Sequence, residues 1–230
     1  MKRGLVKVHL GAYTCLIIGF VALLMILHAV SNAYWQATLI AVFVLILIKG
    51  YSLQNMLDTH DLTGLLSRRK LNRELDRFYS RRRERAYASL LFIDLDQFKK
   101  INDHVGHMRG DEILQGVAEE VRNNVYLKDV VANFGGDEIV VILHDAPRKR
   151  QIRKAAEKIR SAVENVLNHD SPWDLPFQVT VSIGAVALRN SKLKSAKDVL
   201  AHADLAVKHA KKGGKNRTVI YNASGEYQTL

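Results

Sequence analysis

The sequence predicts a two-part α/β protein: an N-terminal transmembrane hairpin of two helices, followed by a ferredoxin-like α/β sandwich. Three observations predict it. Apolar residues crowd the first fifty positions, with Leu10 to Val30 broken clearly only by Thr14 and His28, and Ala33 to Ile48 mostly apolar again. From Leu65 onward, short apolar strand-like runs alternate with segments of helical period. Between them, Asn133-Phe134-Gly135-Gly136-Asp137-Glu138-Ile139 places two glycines between the apolar runs Val130-Val131-Ala132 and Val140-Val141-Ile142-Leu143. Paired glycines supply the positive φ angles of a tight hairpin turn.

The first apolar run is long enough to cross a bilayer, which takes about 20 residues. It is longer than a signal-peptide core, and a second apolar run follows closely. That second run is shorter, with Tyr34 and Trp35 suited to one interface and Tyr51 to the other. Lys2, Arg3 and Lys7 precede the first run and Lys49 closes the second, whereas the connector at Ser31-Asn32 has no basic residue. Both ends are therefore expected on the cytoplasmic side of the membrane. The lone Cys15 lies in the first run, so no internal disulfide is possible.

The expected domains are residues 1–50, two transmembrane helices; 51–60, a linker; and 61–230, the α/β sandwich. Leu53, Met56 and Leu57 have helical spacing, so the linker reads as either a short dimerising helix or a plain connector. Beyond it the pattern predicts a helix over 65–85, a strand over 89–96, a helix opening near Phe98 and a helix over 111–124. A hairpin of 130–134 with 139–143 follows, then a helix over 148–167, a strand over 178–188 and a helix over 196–212 ended by Gly213-Gly214.

A formal charge of +11 on 230 residues points to phosphate-bearing partners. Arg68-Arg69-Lys70 and Arg81-Arg82-Arg83 suit lipid head groups or a solvated helix face. No nucleic-acid-binding motif accompanies the charge, so nucleic acid is not an expected partner. The chemistry-bearing residues lie elsewhere. In Ser89-Leu90-Leu91-Phe92-Ile93-Asp94-Leu95-Asp96 the strand period places Asp94 and Asp96 on one face. Acids at a strand end and in a hairpin turn can converge on one hard cation, and bare glycine backbone leaves room for phosphate.

Taken together, Asp94-Leu95-Asp96, Phe98-Lys99-Lys100-Ile101-Asn102-Asp103, Gly106-His107-Met108-Arg109-Gly110-Asp111 and Gly135-Gly136-Asp137-Glu138-Ile139 resemble the GGDEF family, the diguanylate cyclases. The similarity extends upstream to Leu62-Thr63-Gly64-Leu65-Leu66-Ser67-Arg68-Arg69. Downstream it takes in Val179 to Ala185, Ala203-Asp204-Leu205-Ala206 and Ala210-Lys211-Lys212-Gly213-Gly214-Lys215-Asn216, about residues 60 to 221 in all. It implies a palm-type fold and the condensation of two GTP molecules into cyclic di-GMP with release of two pyrophosphates. It also implies a homodimer and Mg²⁺, with Mn²⁺ as substitute.

By the same resemblance, Asp94, the Leu95 carbonyl, Asp137 and Glu138 are the metal ligands, and Asp137, Glu138 and Lys99 the catalytic groups. Asn102 and Asp111 read guanine. Phe98, His107, Lys211 and Lys215 complete the substrate site. From the residues alone, Asp111 can also be read as a helix N-cap, and the two lysines read as a solvated basic helix end.

The chain departs from the family pattern in places. His60 stands for aspartate, Ser67 for asparagine, Asn133 for an arginine, Ile139 for phenylalanine and Lys215 for arginine. Lysine keeps the charge but loses the bidentate fork. Tyr126-Leu127-Lys128-Asp129 occupies the window of the family's inhibitory R-x-x-D motif and lacks its arginine, so product inhibition through that motif is not expected. These departures leave a second expectation: a catalytically weak or inactive member that binds GTP and regulates a membrane or signalling partner.

Overall fold

The fold is organised around the strand β1, Ser89–Leu95. Its even residues Leu90 and Phe92 pack on one side of the sheet, and its odd residues Leu91, Ile93 and Leu95 on the other. This continuous apolar run is buried on both faces, as a central strand requires.

The computed structural model describes residues 16–21, 23–25, 33–80, 88–169, 175–189, 193–222 and 224–230. The chain divides into two units, Met1–Leu53 and Gln54–Leu230. In the first, residues 16–21 and 23–25 are helical and helix α1 begins at Ala33, running unbroken to Asp58 in the second. The backbone therefore stays helical through most of the expected 51–60 linker. Among the described residues no helix is long and apolar enough to cross a membrane. Most of the first expected span lies outside the described residues, as do Cys15, the leading Lys2, Arg3 and Lys7, the connector Ser31-Asn32 and the cluster Arg81-Arg82-Arg83.

The second unit continues with α2 (Arg68–Ser80), β1, α3 (Phe98–Val105), α4 (His107–Asn123), β2 (Val130–Gly135), β3 (Glu138–Leu143) and α5 (Lys149–His169). It closes with β4 (Val181–Ala187), α6 (Ala196–Lys212), β5 (Thr218–Tyr221) and β6 (Tyr227–Thr229). The strands form one sheet in the order β2-β3-β1-β4-β5-β6. All neighbours are antiparallel except β4 and β5, a pair joined by the crossover helix α6, as parallel strands require. One core lies between the sheet and α3, α4 and α5, through Ile101, Ile113, Val117 and Ile159. The other lies under α2 and α6, through Leu71, Leu75, Ala203 and Val207. This is the expected α/β sandwich with helices on both faces.

Three details differ from the sequence reading. The helix expected from 111 begins at His107, because Gly106 ends α3 and starts α4 with a φ of 82°. A single glycine thus replaces the expected loop. The short strands β5 and β6 are additional. Asp111 lies a full turn inside α4 and is not its cap. Helix α6 begins where expected because Ser195 and Asp198 form a capping box, each side chain accepting from the other's backbone N–H at 3.1 and 3.0 Å.

Candidate active site

The hairpin turn is built by Gly136, whose φ of 54° carries the chain from β2 into β3. Asn133, buried in β2, donates from Nδ2 to the Gly136 carbonyl at 3.1 Å and pins the turn. Strand pairing then sets Glu138 directly opposite Asp94. The Leu95 N–H donates to the Asp137 carbonyl at 3.4 Å, so the turn sits beside the end of β1. Parity along β1 and β3 puts Asp94 and Glu138 on the face that carries Phe92 and Val140, the face under α6.

Burial, only partly offset by the Lys211 ammonium, pushes the Asp94 carboxyl up to about 6, and the charges of Asp137 and Asp96 add to the rise. Burial also raises Glu138, followed by the charges of Asp94 and Asp137. Acids that raise one another in this way lack a full countercharge. Lys211, reaching from the last turn of α6, makes an ion pair with Asp94. It is therefore placed on an acid that the sequence reading gave to the metal, whereas that reading gave Lys211 itself to the substrate.

Asp96 behaves unlike Asp94. It lies beyond the end of β1 and is buried. It accepts from Thr180 Oγ1 at 2.8 Å, Ser182 Oγ at 2.7 Å and the Asn216 N–H at 3.0 Å. Its oxygens are committed to tying β1, β4 and the loop after α6 together.

Lys99 is exposed and Phe98 half-buried in the first turn of α3, directly after the β1 end. Gln97, at φ 59°, gives that helix no side-chain cap, so its first N–H groups remain available. Asn102 packs against Gly110, where any Cβ would overlap Asn102 Oδ1 and stand 2.9 Å from its Cγ. That Oδ1 is buried without a hydrogen-bond partner, an arrangement that awaits a donor. Gly110 adjoins Asp111, so Asn102 packs against the residue next to the other expected guanine reader. His107 is exposed at the start of α4, and Lys215 lies in a left-handed turn at φ 62°.

Sequence reasoning gave Arg68 to lipid head groups or a solvated helix face and did not single out Arg217. Arg68 stacks over Phe134 with its Cζ 4.0 Å from the ring centre, close enough to counter the rise at Glu138. Arg217 folds back on the Lys215 carbonyl at 3.0 Å. Motif spacing carries no signal for either contact, since each depends on where a flexible side chain comes to rest.

Among the described residues no three His, Cys, Asp or Glu side chains already close on one metal position. The donor chemistry nonetheless fits a hard divalent cation: Asp94, Glu138 and Asp137 supply only oxygens, and two of them are short of countercharge.

The family model described as "Diguanylate cyclase, GGDEF domain" matches residues 57–217. The chain is 35% identical over 163 residues to diguanylate cyclase DgcP of Pseudomonas aeruginosa, covering 70% of this chain and 24% of that protein. It is 37% identical over 165 residues to diguanylate cyclase DosC of Shigella sonnei, covering 71% and 35%. The chain thus spans about a quarter to a third of the length of these curated relatives. Among solved structures it resembles the coiled coil and GGDEF domain of DgcB from Caulobacter crescentus, in complex with c-di-GMP. The TM-score is 0.73 at 26% identity, over 81% of this chain and 97% of that one. A hairpin carrying Asp137-Glu138 opposite Asp94, on a sheet of this order and with this match in sequence, places the chain in the GGDEF diguanylate cyclase family.

Proposed function

We propose that this chain is a membrane-anchored diguanylate cyclase, active as a homodimer in which each copy holds one GTP. The observation that carries the reading is the pairing of Asp94 with Glu138 beside the Asp137 turn, with Asp94 raised to about 6. The reaction is an in-line displacement. Each 3′-oxygen forms a bond to the α-phosphorus of the other GTP, the bond to pyrophosphate breaks, and the hydroxyl proton passes to a carboxylate. Such chemistry asks the protein for positioning and charge compensation.

Asp94, the Leu95 carbonyl, Asp137 and Glu138 would hold Mg²⁺, or Mn²⁺ in its place. When bound, the ion acidifies the hydroxyl and neutralises the leaving pyrophosphate. The chain's own groups do the rest. Asp137 and Glu138 stand as carboxylates for the attacking hydroxyl. Lys99 offers positive charge to the reacting phosphate, and Phe98 opens the helix that carries it. Asn102 and Asp111 select guanine, whose N1–H and amino group donate where adenine's edge does not, and His107 flanks them. Lys215 would face the terminal phosphates, and Lys211, seated on Asp94, lies at hand to join it.

Membrane anchoring is supported by the first unit's surface. Trp35, Ile40, Leu45 and Ile48 are 65%, 65%, 61% and 58% exposed on α1, an apolar surface suited to lipid. The positive charge at both ends of the N-terminal segment supports a cytoplasmic catalytic unit.

Full-length protein in detergent, given GTP and Mg²⁺, is expected to form cyclic di-GMP detectable by chromatography and mass spectrometry. Asp137→Ala is expected to abolish it. GTP binding with no product from wild type would replace this reading with that of a regulatory GTP-binding member. Retention of the protein in membranes through an alkaline wash checks the anchor.

A further inference from the structure

Family members usually carry arginine where this chain has Lys215, and an ammonium lacks the planar fork that grips phosphate oxygens in pairs. A guanidinium stands two residues further on. Arg217 directly precedes β5, and its Nε donates to the Lys215 carbonyl at 3.0 Å. This bond folds the side chain back over Gly213-Gly214. A Cβ at Gly214 would stand 2.8 Å from Nη2, and one at Gly213 would stand 3.1 Å from Nη1. The guanidinium therefore rests on bare glycine backbone, and side chains at these two positions would crowd it. Among the described residues no carboxylate pairs with either Nη, although the side chain is half-buried.

Its position along the sheet is equally specific. Thr218 bonds Glu157 of α5 at 3.3 Å, and Ile220 packs in the core on that face. Val219 packs against Ala206 and Ala210 of α6. By strand alternation Arg217 shares the α6 face with Val219, the face that also carries Asp94, Glu138 and Lys211.

The turn that aims it is locked. Lys215 and Asn216 both have positive φ, 62° and 44°, a backbone cost that neighbouring bonds must offset. The Asn216 N–H donates to Asp96, its Oδ1 accepts from Arg160 at 2.7 Å, and its Nδ2 donates to Glu164 at 3.1 Å. Arg160 is itself held by Glu157 and Glu164 at 3.1 and 2.7 Å.

We propose that Arg217 is the phosphate-binding guanidinium of this site, receiving the terminal phosphates of the nucleoside triphosphate in place of the arginine missing at Lys215. Asp96 and Asn216 act as positioning residues for its turn. The assignment rests on the GTP-binding reading above.

The test is equilibrium binding of α,β-methylene GTP and of GMP to the full-length protein in detergent. Arg217→Gln is expected to weaken the triphosphate analogue by about tenfold or more, the scale of a lost charge-assisted contact, and to change GMP by less than about twofold. Arg217→Lys recovers only part of the loss, because charge returns without the fork. Unchanged analogue binding in Arg217→Gln, or equal losses for both ligands, overturns the assignment while leaving the GTP-binding reading in place. A wild type that binds neither ligand sinks both.

Discussion

Replacing Asp94 by asparagine is expected to stabilise the fold while removing its activity. Burial raises the Asp94 carboxyl from an ordinary 3.8 to about 6, with Asp137 and Asp96 adding to the rise and Lys211 resisting it. That is about two pKa units, each worth about 1.36 kcal/mol, so keeping this group ionised costs the fold about 3 kcal/mol near neutral pH. The folded protein holds the Asp94 proton more tightly than the unfolded chain does. This group's contribution to stability is therefore fullest below pH 3.8, falls as pH rises towards about 6 and then stays level. Asparagine keeps the shape and carries no charge. The mutation also leaves Lys211 without its partner, but that side chain is 34% exposed and can turn to water. A net gain of about 1–3 kcal/mol at pH 7.5 remains, a rise in melting temperature of about 2–10 °C for a unit of this size. The assay is thermal unfolding of both proteins in EDTA from pH 4.5 to 8. The gap is expected to open with rising pH. A gap independent of pH, or a mutant that melts below wild type at pH 7.5, would refute the reasoning.

Three further outcomes are expected. Mg²⁺ should raise the melting temperature of wild type and leave Asp94→Asn unmoved; an equal rise in both would place the ion elsewhere. Gly110→Ala should push Asn102 from its seat, weaken GTP by about tenfold and erode the preference for GTP over ATP, while alanine's better helix propensity of about 1 kcal/mol keeps α4 intact. Unchanged nucleotide selectivity would remove Asn102 from the guanine site. Asp96→Ala leaves Thr180, Ser182 and the Asn216 N–H without their acceptor and should cost about 3–5 kcal/mol in urea unfolding. A loss below about 1 kcal/mol would mean that water fills the gap.

Much of the fold was legible because its signals are local. The strand β1 is an unbroken apolar run, the hairpin announces itself by two glycines, and α6 opens on a capping box. The short strands β5 and β6 were not legible, because four and three residues give no periodicity to read. Their pairing depends on β4 and on the crossover of α6. The division of labour between Asp94 and Asp96 was hidden for a related reason. Two acids on one strand face look alike in sequence, yet Thr180 and Ser182, more than 80 residues away, claim the second and leave the first to the site. The positions of the Asp94, Glu138 and Asp137 acids follow from strand register. The seating of Lys211 on Asp94, and of Arg217 on the glycines, follows from long side chains that sequence spacing does not aim.

The central position of β1 also governs the order in which the fold can be completed during synthesis. Its first partner, β3, leaves the ribosome soon after it, but its other edge pairs with β4, where Ser89 meets Ala187 about 100 residues later. Until then the nascent chain presents an unpaired edge of Leu90, Leu91, Phe92 and Ile93, and the face under α2 and α6 lacks its full helical cover. Every residue of the candidate metal cluster has by that stage been made, yet the strand that closes the sheet and the helix that brings Lys211 to Asp94 have not. The acids are thus assembled before their countercharge arrives. A chain stalled before residue 181 would be a sticky half-sheet with a charged, uncompensated rim.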